Sequence, residues 1–202
     1  MYKKQMILQK IICFAAIAVC GVTFLYSLGL MTDLYDGLYW TIRDPSDIES
    51  SLVPGSQVYY HMQDFNKTLL NYSIVAVLLA CLLFVTATHT RRRYYVGNTV
   101  STFAFAGAGV ALSVWMHQQI EHFKAQFLLI DFEAYLKQAT RRKKTYIDST
   151  FWFDAHYVVC ALILVVCVAL IANYAWKRYL MSAEGKLLKE GEVQSAGKKV
   201  SV

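Results

Sequence analysis

A chain of 202 residues is long enough for one domain, and its hydrophobic fraction of 56% exceeds the roughly 45–50% of soluble domains, which speaks against a soluble fold. The net charge of +6 does not point to nucleic acid, because the basic residues flank long apolar runs and no recognition motif accompanies them; lipid headgroups and membrane topology account for them. Cys13, Cys20, Cys81, Cys160 and Cys167 all fall inside apolar runs, so no disulfide framework is implied, and they read as small packing residues.

The first span is Ile11 to Leu30, a run without charge preceded by Lys3, Lys4 and Lys10. At 1.5 Å per residue it covers about 30 Å, the thickness of bilayer hydrocarbon. It is too long for the apolar core of a signal peptide and no A-x-A-like cleavage site follows, so it reads as an uncleaved anchor. The outward segment 31–68 is acidic, with Asp33, Asp36, Asp44, Asp47, Glu49 and Asp64. Leu34, Leu38 and Trp40 could prolong the first helix or lie along the membrane, and Pro45-Ser46 and Pro54-Gly55 mark turns. The D-x-D-x-D-G spacing of a calcium loop is absent, which favours a solvated acidic surface.

The second span, about 69–88, ends at Arg91, Arg92 and Arg93, and the third, about 96–116, begins almost at once. So short a connection predicts an antiparallel helical hairpin. In the third span small residues recur in four-residue steps: Ala104 with Ala108, Gly107 with Ala111, and Gly109 with Ser113. Such ladders let backbones approach closely in lipid, so these six are the candidate helix-packing residues.

Segment 118–155 keeps helical spacing through Ile120, Phe123, Phe127, Ile130 and Ala134, which predicts that the third helix extends beyond the membrane. Its apolar stripe needs cover, from the first outward segment, the bilayer surface or another protein. Phe123, Phe127 and Ile130 are therefore candidate partner or lipid contacts, together with the basic cluster Arg141, Arg142, Lys143 and Lys144. The fourth span, about 156–176, stops at Lys177 and Arg178, and residues 182–202 lack an apolar period and are expected to form a mobile tail.

The expectation is an all-α fold: a four-transmembrane-helix bundle over residues 1–181 with an extracytoplasmic helical extension of the third helix. With both termini cytoplasmic, the inner side collects Lys3, Lys4, Lys10, Arg91 to Arg93, Lys177, Arg178 and the lysines of the tail, while the outward segments hold most of the carboxylates. This satisfies the positive-inside rule for a multi-pass plasma-membrane protein, with the cluster 141–144 as the counter-example. Tyr35, Tyr39, Trp40, Trp115, Trp152 and Tyr157 on one side, and Tyr94, Tyr95, Tyr174, Trp176 and Tyr179 on the other, suit the headgroup layers.

Function is read chiefly from missing chemistry. The spans carry no Asp, Glu, Lys or Arg at mid-membrane depth and no paired Gly or Pro breaks, which argues against a proton-coupled carrier. His117, Glu121 and His122 invite a metal reading because His117 and Glu121 share a helix face; the order H-E-x-x-H is absent and a third ligand is not evident, so no metal or cofactor is assigned. No nucleophile elbow, phosphate loop or dinucleotide turn is present, so no catalytic residue is named. Sequons at Asn66 and Asn71 lie at or within the second span and identify nothing. The leading expectation is a non-enzymatic accessory or scaffold subunit of a larger membrane complex, such as a transporter, contacting the lipid bilayer and other membrane subunits or copies of itself. The alternatives are a homo-oligomeric channel lined by Asn, Ser and Thr of spans two and three, and a lipid-directed enzyme using His117, Glu121 or His122.

Overall fold

The computed structural model describes residues 2–41, 54–55, 57–88, 95–138 and 149–200. Among them there are only helices and turns: α1 (Tyr2–Gly29), a π-helical turn (Leu30–Tyr35), α2 (Asp36–Thr41), α3 (Val58–Thr88), α4 (Tyr95–Phe127), α5 (Phe132–Gln138) and α6 (Phe151–Val200). Four of these helical stretches are long and apolar enough to cross a membrane. Each predicted span lies inside one of them, so the membrane-protein reading and the helical bundle hold.

The helices run up and down. α1 packs on α3 and α6, and α4 packs on the same two, so among the described residues the four form a closed ring without close packing across its diagonals. Cross-chain contacts fix the antiparallel order. Gln5 and Gln9 meet Asn173 at one end, and Tyr26 and Asp33 meet Trp152 at the other. Thr86 bonds Ser101 at 2.6 Å beside the short connection between α3 and α4, the expected hairpin. Residues 11–32, 68–88, 96–120 and 155–176 of the described helices carry no Asp, Glu, Lys or Arg, which leaves the middle of the bundle apolar, as a helix in hydrocarbon requires.

Three helices run beyond the expected spans. The first widens past Leu30 into the π-helical turn and continues to Thr41, one of the two courses expected for Leu34 and Leu38, and both are buried. α3 begins at Val58, well before the expected 69, because Val58, Met62, Phe65 and Leu69 recur at helical spacing and are all buried. α6 continues as helix through residues 182–200, the segment expected to be a mobile tail. Ala183, Glu184, Lys186, Leu187 and Leu188 are strong helix formers attached to a helix already nucleated; lack of an apolar period removes packing, not helical backbone.

α4 passes the expected span end at Met116 and runs to Phe127, so the predicted prolongation of the third helix is present as helix. It is interrupted at Leu128 and Leu129 before α5, whose first turn is capped by Asp131 Oδ1 accepting from the Ala134 amide at 2.9 Å. The apolar stripe on this prolongation is covered by the chain itself. Phe123 packs on Phe65 with ring centroids 5.2 Å apart, and Phe127 packs on Phe153 at 5.1 Å. Phe123, Phe127 and Ile130 are thus buried core residues rather than surfaces open to a partner or lipid. Their cover comes from the early turns of α3, which belong to the first outward segment, one of the three covers expected, and from Phe153 on α6. The cluster Arg141, Arg142, Lys143 and Lys144 lies outside the described residues.

Candidate functional site

The densest group of chemically capable side chains lies where α4 meets the first turns of α6. Ser149 Oγ accepts from the Phe151 amide, and Thr150 Oγ1 donates to Asp154 Oδ2 at 2.7 Å, so the start of α6 is tied down by its own side chains. Phe153, fully buried, wedges against Phe127. One helical turn on, His156 faces the same way and is also fully buried. Lys124 on α4 bonds Asp154 Oδ1 at 2.5 Å and draws the two helices together at this level.

His117 and Glu121 stand one turn apart on α4 and converge on His156. The His156 Nδ1–H donates to the Phe153 carbonyl, which fixes the tautomer and leaves Nε2 as a bare acceptor. That Nε2 lies 2.9 Å from His117 Nδ1 and 3.8 Å from Glu121 Oε1. The Tyr157 hydroxyl donates to Glu121 Oε1 at 2.6 Å, and its ring centroid sits 5.7 Å from that of His117. Two imidazole nitrogens and one carboxylate oxygen, all within 4.8 Å of one another, can hold a metal ion or relay a proton.

Of the three residues singled out from the sequence, the structure brings together His117 and Glu121 and sends His122 elsewhere. His122 Nε2 pairs with Gln126 Nε2 at 2.9 Å, on a different side of α4. The residue that sequence reasoning missed is His156, 39 positions from His117. The available signal was topological: Trp115 and Tyr157 were assigned to the same boundary layer, so neighbouring residues on two antiparallel helices had to lie at one depth.

The small-residue ladder divides into two faces. Gly109 and Ser113 are buried against α6: a Cβ on Gly109 would lie 2.7 Å from Cys167 Sγ, and Cys160 Sγ approaches the Ser113 carbonyl at 3.6 Å. Ala104, Gly107, Ala108 and Ala111 are exposed, and a Cβ on Gly107 would meet nothing within 4 Å. They cluster within about 100° of arc on α4, from 3.6 residues per turn. Ala108 and Ala111 of this stripe also line a cavity of about 370 Å³ in the bundle, walled almost wholly by apolar side chains, among them Val19, Phe105, Leu112, Trp115, Ile163 and Val166.

Polar side chains of the spans, including most of those of spans two and three expected in a channel lining, are used inside the chain. Asn173 accepts from Gln5 Nε2 at 3.4 Å and donates to Gln9 Oε1; Thr102 Oγ1 approaches Asn98 Oδ1 at 3.5 Å; Ser27 and Ser73 meet at 3.3 Å. Asn98, Ser101, Thr102, Ser73 and Asn173 are buried within the monomer, whereas Asn71 is exposed. Asn66, the first sequon residue, is buried and so is not presented to a glycosylating enzyme in this fold. The five cysteines are free thiols.

No protein-family model matches the chain, and neither a curated protein nor a solved structure shows significant similarity to it.

Proposed function

We propose that the chain is a non-enzymatic membrane subunit that docks, as an accessory or scaffold component, against a larger membrane complex in the plasma membrane, with both termini on the cytoplasmic side. The observation that carries this reading is the exposed stripe Ala104, Gly107, Ala108 and Ala111 on α4. In lipid a helix has no hydrophobic incentive to associate, and close backbone approach over small residues is the main source of packing energy. The intrachain half of the ladder, Gly109 and Ser113, already serves α6. Of the other half, Ala108 and Ala111 border the cavity, and Ala104 and Gly107 are left to serve a helix of another protein. The apolar middle of the bundle fits a passive role better than ion-coupled transport.

The competing idea of a homo-oligomeric channel has less support, because Ser73, Asn98, Ser101 and Thr102 of spans two and three are buried inside the monomer, away from any surface that copies would share. The test is mild-detergent extraction of the tagged chain and of a Gly107→Leu variant from the native membrane, with the co-purifying chains identified and their stoichiometry measured.

A further inference from the structure

We propose that His117, Glu121 and His156 form a binding site for one divalent transition-metal ion of the zinc class, joining α4 to α6 at the rim of the bundle. The inference goes beyond the docking role and does not depend on it.

The donor set selects the ion. Two imidazoles and one carboxylate suit zinc and its first-row neighbours, whereas calcium and magnesium require oxygen ligands. The spacing is of the right size. Ligands about 2.05 Å from a tetrahedral ion are separated by about 3.3 Å, and the observed 2.9 Å between His117 Nδ1 and His156 Nε2 and 3.8 Å between His156 Nε2 and Glu121 Oε1 bracket that value. Small rotations of the exposed His117 and part-exposed Glu121 reach it; the buried His156 need not move.

The surroundings are those of a ligand set held in advance. A metal-binding histidine characteristically gives its second ring N–H to a carbonyl or carboxylate, and ligating carboxylates are themselves hydrogen-bonded. His156 does the first through Phe153 O, and Glu121 the second through the Tyr157 hydroxyl. Lys124, the nearest cation on α4, is paired with Asp154 at 2.5 Å, which offsets part of its repulsion of a second positive charge nearby. Without an ion, the proton between the two histidines must sit on His117 Nδ1, since His156 Nε2 is the acceptor. Metal binding moves that proton to the solvent-facing Nε2 of His117 and frees Nδ1 to ligate, with no net proton released from a neutral imidazole. Three protein ligands leave a four-coordinate ion one position for water on the exposed side.

A plain hydrogen-bonded latch between α4 and α6 is the competing account, and titration separates the two. The full-length protein in detergent micelles is stripped with a chelator and titrated with zinc against a chromophoric competitor, then with cobalt(II), whose visible d–d bands report coordination number. The expected result is one ion per chain with a four-coordinate cobalt spectrum, affinity lowered at least 100-fold by His117→Ala and by Glu121→Gln, and about 10-fold by Tyr157→Phe, with His122→Ala unchanged. His117 and Glu121 are not core residues, so their variants fold, as the metal-free thermal midpoint verifies. Absence of stoichiometric binding would overturn the proposal, as would binding that survives both His117→Ala and Glu121→Gln or falls equally with His122→Ala.

Discussion

The indole of Trp152 fills the space where a side chain on Gly29 would begin: a Cβ built there would lie 2.0 Å from Cη2 of the ring. The same tryptophan donates its Nε1–H to Asp33 at 2.5 Å, and its carbonyl accepts from the Tyr26 hydroxyl at 2.8 Å. α1 and α6 are thus joined at this end by one residue that reaches three points on α1 and its π-helical continuation. Asp33 lies in the π-helical turn itself, and such turns re-aim side chains that a regular helix would place elsewhere.

Gly29→Ala should therefore lower the thermal midpoint in detergent and shift tryptophan emission to the red as the indole is displaced. Overpacking of this kind costs about 1–3 kcal/mol. Gly21→Ala is the control: a Cβ there meets nothing within 4 Å, and replacing a mid-helix glycine with alanine gains about 0.5–1 kcal/mol. Equal midpoints for the two variants would show that Trp152 does not hold α1 to α6 in this way.

Gly55 is constrained twice over. Its φ of +78° disfavours any L side chain, and a Cβ would lie 2.1 Å from the backbone oxygen of Gln126, which cannot yield as a flexible side chain would. Gly55→Ala should loosen the turn before α3 from the end of α4, speeding amide hydrogen exchange around Val58 to Met62. Unchanged exchange there would contradict the contact. Gly97→Ala, whose Cβ would make an ordinary 3.8 Å contact with Thr86, should leave exchange as it is.

At the opposite end, Gln5, Gln9 and Asn173 form a buried amide cluster across α1 and α6. Asn173→Leu leaves two buried amides without their partner, which costs about 1–3 kcal/mol. Adding Gln5→Leu and Gln9→Leu should return part of that loss, since removing all partners together avoids orphaned groups. Midpoints that fall additively over the three substitutions would show that the cluster is not one network.

Much of the fold was legible because the bilayer imposes a simple rule: charge-free runs of about 20 residues must be helices that satisfy their own backbone. The spans and the hairpin follow from that rule. The early start of α3 was missed because His61, Asp64, Asn66 and Lys67 interrupt the apolar pattern, although Val58, Met62, Phe65 and Leu69 keep helical spacing through them. That omission also left the cover of Phe123, Phe127 and Ile130 open among the first outward segment, the bilayer surface and another protein. His156 was hidden for another reason: its partners come from another helix, and pairing across 39 residues is set by tertiary depth rather than by local spacing.

The central claim is that α4 presents a docking face, and mild-detergent extraction from the native membrane tests it most directly. The account predicts that wild-type protein carries a larger membrane protein at fixed stoichiometry, and that Gly107→Leu releases it without lowering the thermal midpoint of the isolated chain, because a Cβ at that position would meet nothing within 4 Å. Wild-type protein that purifies alone, or a partner retained undiminished by Gly107→Leu, would contradict it.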